Sequence, residues 1–79
     1  MSLLEQHAKL IHRKITMMPL GDEAGLAAIF GDDWDQLGDP GQRKLFGRLF
    51  KAAVSKNVYP ELEWVRIENS GRYDVYRKC

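Results

Sequence analysis

The stretch Asp39-Pro40-Gly41-Gln42-Arg43-Lys44-Leu45-Phe46-Gly47-Arg48-Leu49-Phe50-Lys51-Ala52-Ala53-Val54-Ser55-Lys56 decides how this chain folds. Asp39 can accept a backbone N–H as an N-cap, and Pro40 suits the first helical position, where its missing donor and fixed φ do no harm. A helix is therefore expected to start here. At about 100° per residue, Phe46, Leu49, Phe50 and Ala53 gather on one side, and Lys44, Arg48, Lys51 and Ser55 gather almost opposite. One face is predicted to be core and the other a basic stripe. Arg43, Lys44, Arg48, Lys51 and Lys56 lie between Gly41 and Val58 with no acid among them, so no i,i+4 partner within the helix neutralises the stripe.

The chain has 79 residues, which makes a single domain, 1–79, with a small core in which every large apolar side chain matters. Its 44% hydrophobic and 29% charged content is that of a globular domain, not a disordered one. No apolar run approaches the roughly 20 residues needed to span a bilayer, so no membrane partner is expected. No basic segment leads into an apolar one at the N-terminus, and a cytoplasmic location is expected. Cys79, the single cysteine, can neither close an internal disulfide nor supply a two-sulfur zinc site. The net charge of +1 argues against binding polyanions through bulk charge. The distribution says more: Asp22, Glu23, Asp32, Asp33, Asp35 and Asp39 form an acidic segment without a base, directly before the basic helix. Such polarity suits an oriented contact.

Upstream of the long helix, Ser2 and Glu5 match a capping box, and Leu4, Ala8, Ile11 and Ile15 recur at helical spacing, predicting a helix over 3–14. Residues 15–18 have the character of a brief edge strand ended by Pro19. Gly21-Asp22 offers a turn and an N-cap for a helix with Asp22 and Glu23 in its first turn, carrying Leu26, Ile29 and Phe30 and stopped by Gly31. Asp32 or Asp33 can cap a further short turn holding Trp34 and Leu37, closed by Gly38. Downstream, Pro60 breaks the helix and the period changes from 3.6 to 2. A three-residue loop Asn69-Ser70-Gly71, with Gly71 left-handed, predicts a hairpin over 62–78. Its register pairs Glu68 with Arg72, Ile67 with Tyr73, Arg66 with Asp74, Val65 with Val75, Trp64 with Tyr76 and Glu63 with Arg77. Val65, Ile67, Tyr73 and Val75 would then face the core.

The expected fold class is α+β: a small winged helix-turn-helix-like domain with three main helices, a helix-turn-helix-like unit over 22–56 and the C-terminal β-hairpin as the wing. Residues 26 to 78 also resemble a small bacterial domain family of unknown function. The resemblance rests on Leu26, Ile29, Phe30, Trp34, Leu37, Arg43, Leu45, Gly47, Phe50, Val54, Tyr76 and Lys78. Its most specific part is Leu45-Phe46-Gly47-Arg48-Leu49-Phe50 with Trp34 before it. Residues 1 to 25 depart from the family, lacking its usual Phe-Thr lead. As that family has no established activity, the resemblance implies fold more than function.

No catalytic constellation stands out, so an enzyme is not expected. His7 and His12 are five apart, about 140° around a helix, and do not converge as an i,i+4 metal pair would. Asp32, Asp33 and Asp35 lack the closing Glu of a calcium loop. Neither a phosphate-binding Gly-Lys-Ser/Thr loop nor a Gly-x-Ser-x-Gly elbow is present. No cofactor or metal is therefore expected. Two functions follow from what remains. In the first, the 41–56 helix enters double-stranded DNA, with Arg43, Lys44, Arg48 and Lys51 on phosphates or base edges and Arg72 of the wing on the neighbouring backbone, as in a transcription regulator. In the second, the domain docks on a protein, as an anti-CRISPR-like inhibitor of a host nuclease complex from a phage or other mobile element does. Asp32, Asp33 and Asp35 would then form the docking patch, or the basic helix would meet an acidic partner. A specific DNA binder of this size is expected to act as a homodimer, with the helix over 3–14 as its interface.

Overall fold

Both ends of the long helix, α4 (Pro40–Ser55), are closed by local chemistry. The Asp39 carboxylate accepts from the Gln42 N–H at 2.8 Å, and the Gln42 side-chain oxygen accepts from the Asp39 N–H at 3.0 Å, a reciprocal capping box. Gly38 precedes it with φ 133°, and a Cβ there would collide with the Gln42 amide, so glycine is required for the cap to form. At the other end Asn57 takes φ 62°. The Val58 N–H reaches the Ala53 carbonyl and the Asn57 N–H the Val54 carbonyl, the paired bonds of a Schellman motif. Phe46, Phe50, Ala53 and Val54 are buried and Leu49 is half-buried, so the predicted core face is the one that packs.

The computed structural model describes residues 3–79; the expected cap at Ser2 lies outside the described residues. Ahead of α4 come α1 (Leu3–Gln6), α2 (Ala8–Met17), β1 (Glu23–Gly25), α3 (Leu26–Phe30) and a 3-10 segment (Gly31–Leu37); β2 (Leu62–Glu68) and β3 (Tyr73–Lys78) follow it. The fold is α+β, four α-helices and a three-stranded antiparallel sheet of order β1-β3-β2 among the described residues. No helix among those residues is long and apolar enough to cross a membrane.

Several expectations are corrected. The helix predicted over 3–14 is broken at His7 and runs on to Met17, so residues 15–17 are helical rather than a strand. Ile15 packs into the core, which holds that extra turn. The strand lies instead at Glu23–Gly25, where a helix start was expected. Its residues pair with β3, Glu23 opposite Arg77 and Gly25 opposite Val75, and that pairing satisfies backbone groups a helix start would leave open. Asp22 and Glu23 therefore do not occupy a helical first turn, and neither Asp32 nor Asp33 caps the 3-10 segment.

The hairpin spans the predicted residues, and Trp64 opposite Tyr76 and Glu63 opposite Arg77 match the expected register. An irregularity at Val65 then shifts the rest by one, so Arg66 faces Val75, Ile67 faces Asp74 and Glu68 faces Tyr73. Ile67 is 51% and Tyr73 48% exposed rather than in the core: alternation along β3 puts Tyr73 on the face away from Tyr76, and Ile67, opposite Asp74, lies near the hairpin tip. With the register shifted, the loop has four residues, 69–72, and the left-handed residue is Arg72 at φ 51°, not Gly71. Gly71 serves a different need: a Cβ there would lie 2.6 Å from the Tyr73 ring, and one on Gly25 would lie 2.5 Å from the ring's other edge. The two glycines let the ring lie against bare backbone.

Leu62 and Tyr76 of the sheet join Ile11, Ile15, Phe30, Leu37, Phe46, Phe50 and Val54 in one core, with Leu3, Leu4, Leu10 and Trp34 packed against it. On the same sheet face the Lys78 ammonium donates to the Ile15 carbonyl at 2.6 Å, tying β3 to α2. The opposite face is a lattice of charge. Arg66 meets Glu23 at 2.6 Å and Glu68 at 3.6 Å, and Arg77 bridges Glu63 and Glu23.

Candidate functional site

Positions 47 and 48 lie three and four residues after 44, and 51 lies four and three after them, so the four form a single stripe of α4 on the side away from Phe46 and Phe50. The sheet places the hairpin loop at one side of that stripe and β1 leads α3 to the other. Between them lies a groove of about 740 Å³. All five cations singled out in the sequence line it: Arg43, Lys44, Arg48 and Lys51 from α4 and Arg72 from the loop. One carboxylate, Asp74, lines it with them.

The cations are not equivalent. The Arg43 guanidinium lies 2.6 Å from the Asp35 carboxylate. The Lys51 ammonium lies 3.3 Å from Asp74 Oδ1 and 5.1 Å from the centre of the Trp64 ring, while Trp64 Nε1–H donates to the same oxygen at 2.9 Å. These contacts bind α4 to β2 and β3. The pair is well exposed and worth about 1 kcal/mol at most, so an external anion can compete for Lys51. The side chains of Lys44, Arg48 and Arg72 have no ion-pair or hydrogen-bond partner among the described residues. The acids of the alternative docking patch are largely engaged: Asp33 pairs with Lys14 at 2.9 Å and Asp35 with Arg43, leaving Asp32 exposed.

The groove also holds residues that sequence reasoning did not assign to it, namely Leu26, Trp34, Gly47, Tyr73 and Asp74. Gly47 was within reach, since it sits between Lys44, Arg48 and Lys51 on the same stripe. Asp74 was not, because the alternation read from the sequence put Tyr73 and Val75, not Asp74 and Tyr76, on the side of the helices. Trp34 is held by Phe30 (ring centres 6.2 Å apart, near-parallel) and by Phe46 (6.2 Å, edge-to-face). Behind the groove, Tyr76 is fully buried and its hydroxyl has no hydrogen-bond partner among the described residues. Burial, with the Asp74 carboxylate adding to it, pushes that phenol far above its ordinary range. Comparison with protein-family models, with curated proteins and with solved structures finds no match to this chain.

Proposed function

We propose that the protein is a small, non-enzymatic, cytoplasmic DNA-binding regulator of the winged helix-turn-helix type. On this reading α3 and α4 are the helix-turn-helix pair, α4 lies in the major groove, and the β2–β3 hairpin is the wing. The carrying observation is the convergence of five cations from α4 and the hairpin loop on one groove, with the side chains of Lys44, Arg48 and Arg72 left without partners among the described residues. A helix and a loop aimed together at a concave surface suit the two sides of a phosphate backbone. The order of elements and the sheet order β1-β3-β2 support the winged-helix assignment. Docking on a protein through Asp32, Asp33 and Asp35 is less well supported, because two of these carboxylates already have cationic partners.

The test is binding to a mixed-sequence duplex by fluorescence anisotropy across a salt series, for the parent and for the triple variant Lys44→Ala, Arg48→Ala, Arg72→Ala. The variant keeps the parental circular dichroism, since none of the three side chains is buried. Each lost phosphate contact lowers the slope of log affinity against log salt by about 0.9. Parental binding that is undetectable at low salt, or a variant with an unchanged slope, refutes the proposal.

A further inference from the structure

A surface that only tracks phosphates has little use for an apolar lining, yet more of this groove is apolar than polar. Leu26 and Trp34 form the apolar part, with Trp34 fixed by its stacking on Phe30 and its edge contact with Phe46. Gly47 opens it further. Its backbone is ordinary helix, and a Cβ there would meet only Leu26 Cδ1, at an unstrained 3.7 Å. Neither conformation nor packing therefore calls for glycine in the middle of α4, where it weakens the helix. What glycine does provide is close access to the backbone. Around this lining stand the side chains of Lys44, Arg48 and Arg72, without partners among the described residues. The volume, about 740 Å³, is within the range of pockets that enclose a small organic molecule.

We propose that the groove is a binding site for a small aromatic anion, its ring packed against the surface formed by Trp34, Leu26 and Gly47, and its carboxylate or phosphate held by Arg48 and the neighbouring cations. Both halves of such a ligand are needed. The ring fills the apolar lining, which acetate cannot do, and the anion satisfies cations that a neutral or cationic ring leaves open. The ligand would occupy the surface assigned above to DNA, so an effector of this chemistry would displace the duplex. Binding of the small molecule does not itself require that the protein bind DNA.

The experiment titrates 2-naphthoate into the intact chain and follows backbone amide shifts by NMR, with 2-naphthylmethylammonium and acetate as comparators. Saturable shifts at Gly25, Leu26 and Gly47, with at least tenfold weaker binding of both comparators, are expected. Arg48→Gln with Arg72→Gln should retain the parental spectrum elsewhere and lose at least tenfold in naphthoate affinity. Equal binding of acetate shows a cation patch only; equal binding of the ammonium compound shows an apolar patch only; each overturns the proposal, as does the absence of saturable shifts at the groove. The duplex titration is scored separately: naphthoate binding without DNA binding upholds this site and removes the DNA reading, and the reverse result does the opposite.

Discussion

Gly47→Ala separates what the fold needs from what the groove needs. Gly47 lies near the middle of α4, and the glycines with positive φ among the described residues are Gly21, Gly31 and Gly38, so an alanine here meets no backbone strain. Its methyl would rest 3.7 Å from Leu26 Cδ1, an ordinary contact. With neither strain nor collision, the intrinsic helix preference remains, about 0.8–1 kcal/mol in favour of alanine. In a domain of this length that corresponds to a rise in Tm of about 4–8 °C. Thermal and urea unfolding followed by circular dichroism measure it. A lower Tm would refute the reasoning, because it would mean that the methyl meets an obstruction at the groove floor. The same variant, assayed for duplex or naphthoate binding, is expected to bind more weakly while being more stable. A variant that is both more stable and equally competent would show that glycine is not retained for access.

Tyr76→Phe removes a buried hydroxyl that has no partner among the described residues, and should raise stability by about 1 kcal/mol; a less stable variant in urea unfolding would reveal a hydrogen bond made by that oxygen. Asp74→Asn keeps an acceptor for the Trp64 indole but releases Lys51. It should tighten duplex binding, steepen the salt slope by about 0.9 and cost at most about 1 kcal/mol of stability. Weaker binding in the anisotropy titration would instead mean that Asp74 holds Lys51 in a useful position.

What was legible in the sequence is what is decided locally. Asp39 and Pro40 mark the start of α4, the 100° spacing separates Phe46 and Phe50 from Lys44 and Arg48, and both survive folding because they depend on neighbours a few residues away. The three residues of β1 carry no pattern of their own. They are extended because Glu23 and Gly25 find Arg77 and Val75, some fifty residues further on. The irregularity at Val65 is equally silent, since a regular alternation and a bulged one look alike until the partner strand is placed. It lengthened the loop to four residues and moved the left-handed position from Gly71 to Arg72. At the groove, the cations were readable as a stripe. Their inequality was not, because Asp35 and Asp74, which engage Arg43 and Lys51, come from other segments of the chain.

The lattice of Glu23, Glu63, Arg66, Glu68 and Arg77 on the sheet face turned from the helices bears on how the molecule moves before it touches anything. Three carboxylates and two guanidiniums leave one negative charge there, whereas the groove keeps an excess of positive charge. A chain with a net charge of +1 thus presents its charge unevenly, with the groove its positive side. In the field of a polyanion such an object feels torque before it feels much pull. Within a Debye length, about 8 Å at physiological salt, it rotates groove-first. Added salt would then erode the alignment of encounters as well as their strength, while the small monopole limits indiscriminate adhesion at long range.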